Sequence, residues 1–149
     1  MPTKKILVGL KFGIINLIIV AMIAGIFYVF VQLGIISEPS KVVTNEDFKR
    51  PIFLFFLMVA MAPFMEEVLF RFLPIKGVKL ITGDKNALWV AIILVSILFG
   101  SLHGSWHHIF IQGVSGIIFS LSFLRGGFVS SVVSHALTNL VAWSLVFIT

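Results

Sequence analysis

Glu66 and Glu67 stand side by side in the stretch from Met58 to Pro74, with Arg71 a helical turn further on, in sequence that is otherwise apolar. An ionised side chain at the centre of a membrane helix costs about 3 kcal/mol on the lower estimates, so each of these groups needs a partner. On a helix Glu67 and Arg71 are four apart and share a face, with the carboxylate N-terminal to the cation as a helix prefers. Glu66 lies about 100° round the helix and reaches Arg71 less well. One glutamate is thereby accounted for, and the other is left for chemistry or for a partner on another helix. Packing and ion conduction are competing uses of the same pair.

Two more polar points interrupt or end apolar runs. His103 closes the run from Ala87 to Leu102, and His135 and Asn139 lie four apart in the run from Phe128 to Thr149. That spacing puts imidazole and amide on one helix face, where both can point at one oxygen atom. Each such group must find a partner where water is absent. The economical arrangement is one interior site shared by the helices carrying Glu66, His103 and His135.

The elements that must position these residues are membrane helices. The 149-residue chain is 59% hydrophobic and 11% charged and contains sixteen Phe, and its mean hydropathy is +1.13. That composition excludes a soluble globular domain. The net charge of +5 comes from basic residues flanking apolar runs, which argues against nucleic acid as a partner. There is no cysteine, so thiolate nucleophiles and Cys-based zinc sites are excluded.

Met1 to Lys11 reads as a basic tail and Phe12 to Ile36 as a first membrane span, about 37 Å long as a helix. Ser37 to Arg50 reads as a polar connection. Pro51 opens the second span at a position that suits proline, and Pro63 removes a backbone donor and is expected to kink it just before the glutamates. The third span is Ala87 to Leu102. The fourth is Ile109 to Leu124, with Gly113, Gly116 and Ser120 as a small-residue packing face. Arg125, Gly126 and Gly127 separate it from the fifth span. His107 and His108 beside Trp106 read as interfacial anchors, with His103 and His107 as a weaker metal pair. The expectation is an all-α, polytopic bundle of about five transmembrane helices, forming one domain over residues 1–149 with a polar site inside.

Depth constrains the second helix. If it left the membrane at Leu73, Glu66 would lie about 10 Å from that face and His103 about 24 Å from it. Helical structure continuing from Leu73 to Thr82 brings the two level, and is therefore expected. His135 would still be shallow unless the fifth helix is tilted or offset. Lys4, Lys5, Lys11, Lys76, Lys79, Lys85 and Arg125 fall on one side, and Lys41, Lys49 and Arg50 on the other. This predicts a cytoplasmic N-terminus, loosely in a prokaryotic cytoplasmic membrane.

Glu66-Glu67 with Arg71, Phe99 with His103, and His135 with Asn139 resemble, in order, the EExxxR, FxxxH and HxxxN motifs of the CPBP group. That group contains CAAX prenyl endopeptidases together with Abi and bacteriocin-immunity relatives. The resemblance covers about residues 51–143; Phe72 stands where glycine commonly follows the arginine. It implies an intramembrane endopeptidase acting on a peptide or prenylated protein. Glu66 would deprotonate a water also held by His103, Glu67 and Arg71 would fix the geometry, and His135 and Asn139 would donate to the oxyanion. Family members are often described as metalloproteases, and Glu66, His103 and His135 offer a carboxylate and two imidazoles for Zn²⁺. A glutamate-activated water needs no metal, so none is required by these residues. The alternative is a non-enzymatic immunity or scaffold protein that keeps the same residues as a buried polar network.

Overall fold

The structure, a computed structural model, describes residues 2–38 and 50–146, with no side-chain description at 146. Among the described residues there are five helices and no strand: α1 Pro2–Gln32, α2 Pro51–Ile81, α3 Lys85–Ser101, α4 His107–Gly126 and α5 Phe128–Val146. Four of them are long and apolar enough to cross a membrane, and α3, at 17 residues, is shorter. The expected all-helical membrane bundle is what the chain forms. Much of the expected connection, residues 39–49, lies outside the described residues.

Two boundaries differ from expectation for local reasons. The basic tail is not separate, because α1 starts at Pro2 and carries Lys4, Lys5 and Lys11 on its first turns. The fourth helix starts at His107 instead of Ile109. The turn before it contains Gly104 at φ 101°, a left-handed conformation that a glycine adopts without strain.

Helix α2 is continuous through Pro63 and Pro74, as the depth argument requires of its last turns, and helical structure runs to Ile81. Proline removes a donor and crowds the carbonyl four residues back. The helix answers by widening: each proline follows a π turn, Leu57–Met61 before Pro63 and Val68–Phe72 before Pro74. In these turns Ala62 N–H donates to the Leu57 carbonyl and Leu73 N–H to the Val68 carbonyl, one residue further back than in an α-helix.

Small residues bring the helices together. A side chain at Gly9 would meet the Ser130 carbonyl at 2.6 Å, and one at Gly13 would meet Leu137 at 2.8 Å, so α1 lies directly on α5. Further along the same face Asn16, fully buried, donates to Thr138 Oγ1 at 3.1 Å. Helices α3 and α4 close in the same way, through Gly100 against the His108 carbonyl and Gly113 against the Ser96 carbonyl.

Ile75, Ile92 and Phe123, with Leu88, Leu124 and Phe128, form a small apolar core. It joins the end of α2, the start of α3, the end of α4 and the start of α5. Val8 of α1 lies beside Gly126 at the same end. Successive helices therefore alternate in direction, and Lys4, Lys5, Lys76, Lys79, Lys85 and Arg125 gather at one end of the bundle. The same core resolves the depth of His135. It sets Phe128 level with Ile75 and not with Thr82, so the last turn and a half of α2 runs past the start of α5. Counted from that level, Glu67 and His135 are about equally deep.

Candidate active site

The polar residues of α2 and α5 meet in the middle of the bundle. His135 Nδ1 lies 3.0 Å from Glu67 Oε1, and His135 Nε2 lies 3.5 Å from Glu66 Oε2. One imidazole thus stands between the two adjacent carboxylates. Glu67 also faces Arg71 Nη1 at 3.4 Å, in the i, i+4 pairing its position predicts. The two glutamates differ sharply in access: the side chain of Glu67 is 0% exposed and that of Glu66 is 26% exposed. Within the group, Glu66 is the more accessible carboxylate.

Arg71 is fully buried and is held as much by rings as by charge. Its guanidinium lies 4.4 Å from the centre of the Phe99 ring and 5.5 Å from that of Phe119, a cation–π arrangement strengthened by desolvation. Space for it exists because residue 116 is glycine. A side chain there would stand 3.0 Å from Arg71 Nη2 and 2.9 Å from the buried Ser96 Oγ. Phe119 also stacks on His135, with ring centres 4.5 Å apart and planes 20° from parallel, which fixes the plane in which the imidazole meets the carboxylates.

His103 joins this group through Phe99. Its Nδ1 lies 2.7 Å from the Phe99 carbonyl; a carbonyl only accepts, so Nδ1 carries a proton, and in the neutral ring Nε2 keeps its lone pair. The Phe99 ring meets both imidazoles edge-on, with centres 4.7 Å from His103 and 5.8 Å from His135. Among the described residues no hydrogen bond or ion pair joins His103 to Glu66. Asn139 turns elsewhere: its Nδ2 donates to the Met58 carbonyl at 2.8 Å. His135 and Asn139 share a helix face as their spacing predicts, yet they do not converge on one atom here, because a free carbonyl on α2 attracts the amide.

Both nitrogens of His135 face carboxylates, and among the described residues no group of three His, Asp or Glu side chains is placed to hold an ion. One expectation is corrected: His107 and His108 are not interfacial anchors. Both are buried in the first turn of α4, where His107 stacks on Trp106 with centres 4.0 Å apart and packs edge-on against Phe27. Trp106, half exposed, is the residue left to face the interface.

Sequence reasoning missed Ser96, Phe119 and the reason for Gly116. Ser96 carried a signal, since it falls on the face of α3 shared with Phe99 and Gly100. Phe119 carried none, being one of sixteen Phe in an apolar chain.

No curated protein and no solved structure matches the chain. The sequence model of one family, described as type II CAAX prenyl endopeptidase Rce1-like, matches residues 48–141. The match spans α2 through most of α5, and takes in every residue of the carboxylate, arginine, histidine and asparagine group. With the match covering more than half of its length and those residues assembled inside a helical membrane bundle, the chain belongs to the Rce1-like family of type II CAAX prenyl endopeptidases.

Proposed function

We propose that this integral membrane peptidase hydrolyses a peptide bond of a CAAX-type substrate by water activated at Glu66. The observation that carries the reading is the unequal state of two neighbouring carboxylates on one imidazole, Glu67 sealed in and Glu66 open. Peptide hydrolysis needs a base for the attacking water and donors for the oxyanion that follows. Glu66 is the base. His103, with the lone pair of Nε2 free, accepts a hydrogen bond from the same water and so orients it. Glu67 takes no proton from water; paired with Arg71 and His135, it holds the helix carrying Glu66 against α5.

His135 donates from Nδ1 to Glu67, so donation from Nε2 to the oxyanion requires the protonated ring. In that form His135⁺ and Arg71⁺ balance the two carboxylates. Asn139, a turn away, supplies a second donor. The proton taken by Glu66 passes to the departing amine, which completes the cleavage. No step requires a metal ion.

The test is incubation of the purified protein with prenylated and unprenylated C-terminal peptides, reading fragments by mass, with Glu66→Gln alongside. Cleavage by the parent and none by Glu66→Gln is the expected result. Equal fragments from both overturn the assignment of Glu66, and none from either favours a scaffold that keeps these residues as a network.

A further inference from the structure

The acceptor of Asn139 is unusual in being a main-chain carbonyl within a helix. Such carbonyls are normally occupied by the helix itself. Met58 lies in the π turn Leu57–Met61, where the Ala62 N–H already donates to Leu57, five residues back. The next step in that register pairs residue 63 with the Met58 carbonyl. Residue 63 is proline, which has no N–H. The Met58 carbonyl is therefore the one that Pro63 leaves without a donor, and it receives Asn139 Nδ2 at 2.8 Å. Pro63 is fully buried and lies one turn before Glu67, while Asn139 lies one turn after His135, so the bond ties α2 to α5 a turn from the contact of the carboxylates with His135.

We infer that Pro63 is a positioning residue for Asn139: by freeing the Met58 carbonyl it anchors one amide hydrogen of Asn139 and presents the other to the reacting centre. This rests on the hydrolytic reading of the site above. An amide has two N–H groups, and among the described residues the second has no partner. The anchor serves orientation, since a donor that swings freely must be ordered at the moment of reaction, whereas one already fixed need not be. Pro74 provides a contrast within the same helix. It follows the second π turn in the same way, but among the described residues no side chain caps the corresponding Leu69 carbonyl.

The experiment uses the full chain in detergent or nanodiscs, labelled with ¹⁵N at asparagine side chains and ¹³C at methionine carbonyls. The Asn139 pair is identified by its loss in Asn139→Ala. In the parent, one Asn139 amide proton is expected downfield and slow to exchange. In Pro63→Ala, whose new N–H competes for Met58, both protons move to free values; in Pro74→Ala nothing changes. For peptide cleavage, Pro63→Ala lowers kcat on the order of 10- to 100-fold with KM within about twofold, and the double variant Pro63→Ala/Asn139→Ala is no slower than Asn139→Ala alone. An Asn139 signal unmoved in Pro63→Ala, or losses that multiply in the double variant, overturns the inference. If Pro63→Ala does not fold, the Met58 carbonyl decides: its ¹³C shift must move in Asn139→Ala, and a fixed shift overturns the inference equally. A parent that cleaves no peptide removes the hydrolytic reading, while the amide and carbonyl signals still report whether Pro63 controls Asn139.

Discussion

Adjacent residues of one type do opposite work here because a helix turns by about 100° per residue. Glu67 points into the bundle at Arg71 and His135, and Glu66 points towards the accessible side of the same imidazole. Neutralising each should therefore have different consequences. Glu66→Gln is expected to abolish cleavage with the thermal midpoint little changed. Glu67→Gln leaves Arg71 buried without its counter-charge, and is expected to lower stability by about 3 to 5 kcal/mol, measured by thermal unfolding in detergent. Arg71→Lys should not rescue, because the flat guanidinium lies over two aromatic rings and an ammonium cannot reproduce that contact. If Glu67→Gln unfolds like the parent, the buried ion pair is not what holds α2 in place. The pairing of Glu67 with Arg71 was legible in the sequence, since i, i+4 spacing settles it. The bridging of both glutamates by His135 was not, because nothing local records a contact between residues 68 apart in the chain.

At the scale of helices, prolines and glycines decide how close the chain comes to itself. Pro63 was expected to disturb α2 through its missing donor; a π turn stands just before it and the helix stays continuous through it. Spacing alone reveals a missing donor but not whether the helix bends or widens around it, since that depends on the neighbours it must keep touching. The small-residue face of α4 was visible at Gly113 and Gly116, whereas Gly100, inside the FxxxH stretch, drew no notice. Its surroundings give it a sharper role: a side chain there would lie 2.7 Å from both the His108 carbonyl and the Ile109 Cα. Main chain cannot step aside as a long side chain can, so Gly100→Ala should push α3 from α4. The expected loss is about 1 to 3 kcal/mol, with activity falling further than stability because Phe99 lies on α3 and His103 on the turn that ends it. Gly77→Ala is the matched control. Nothing lies within 4 Å of a side chain at Gly77, and replacing a helical glycine in open space is expected to stabilise by about 0.4 to 1 kcal/mol. Thermal melts of the two variants should move in opposite directions, and a shared direction would contradict the close approach of α3 and α4.

Across the whole molecule, hydrophobic length is unevenly distributed, and this carries a consequence for the membrane around it. A hydrocarbon core is about 30 Å thick. Helix α1, at 31 residues, spans about 46 Å, and can meet any such thickness by tilting or by extending beyond it. Helix α3 has 17 residues, about 25 Å, and cannot lengthen: Asp84 caps its start by accepting from Ala87 N–H at 2.8 Å, and the turn carrying His103 ends it. Nor is it free to slide, since Gly100 and Ser96 lock it to α4. A bilayer thicker than α3 must thin beside it or draw polar residues inward, at a fraction of a kcal/mol for each ångström of mismatch. The thinning would fall on the helix that carries Phe99 and ends at the turn of His103, so acyl-chain length should act on the candidate active site before it acts on the rest of the bundle. Reconstitution in phosphatidylcholines of 14 to 22 carbons tests this. Cleavage per folded molecule is expected to be highest in the shorter lipids and to decline towards 22 carbons, with the thermal midpoint falling later and less. An activity that is flat across the series, or that rises with chain length, would mean that α3 does not meet both faces of the bilayer in the way its length implies.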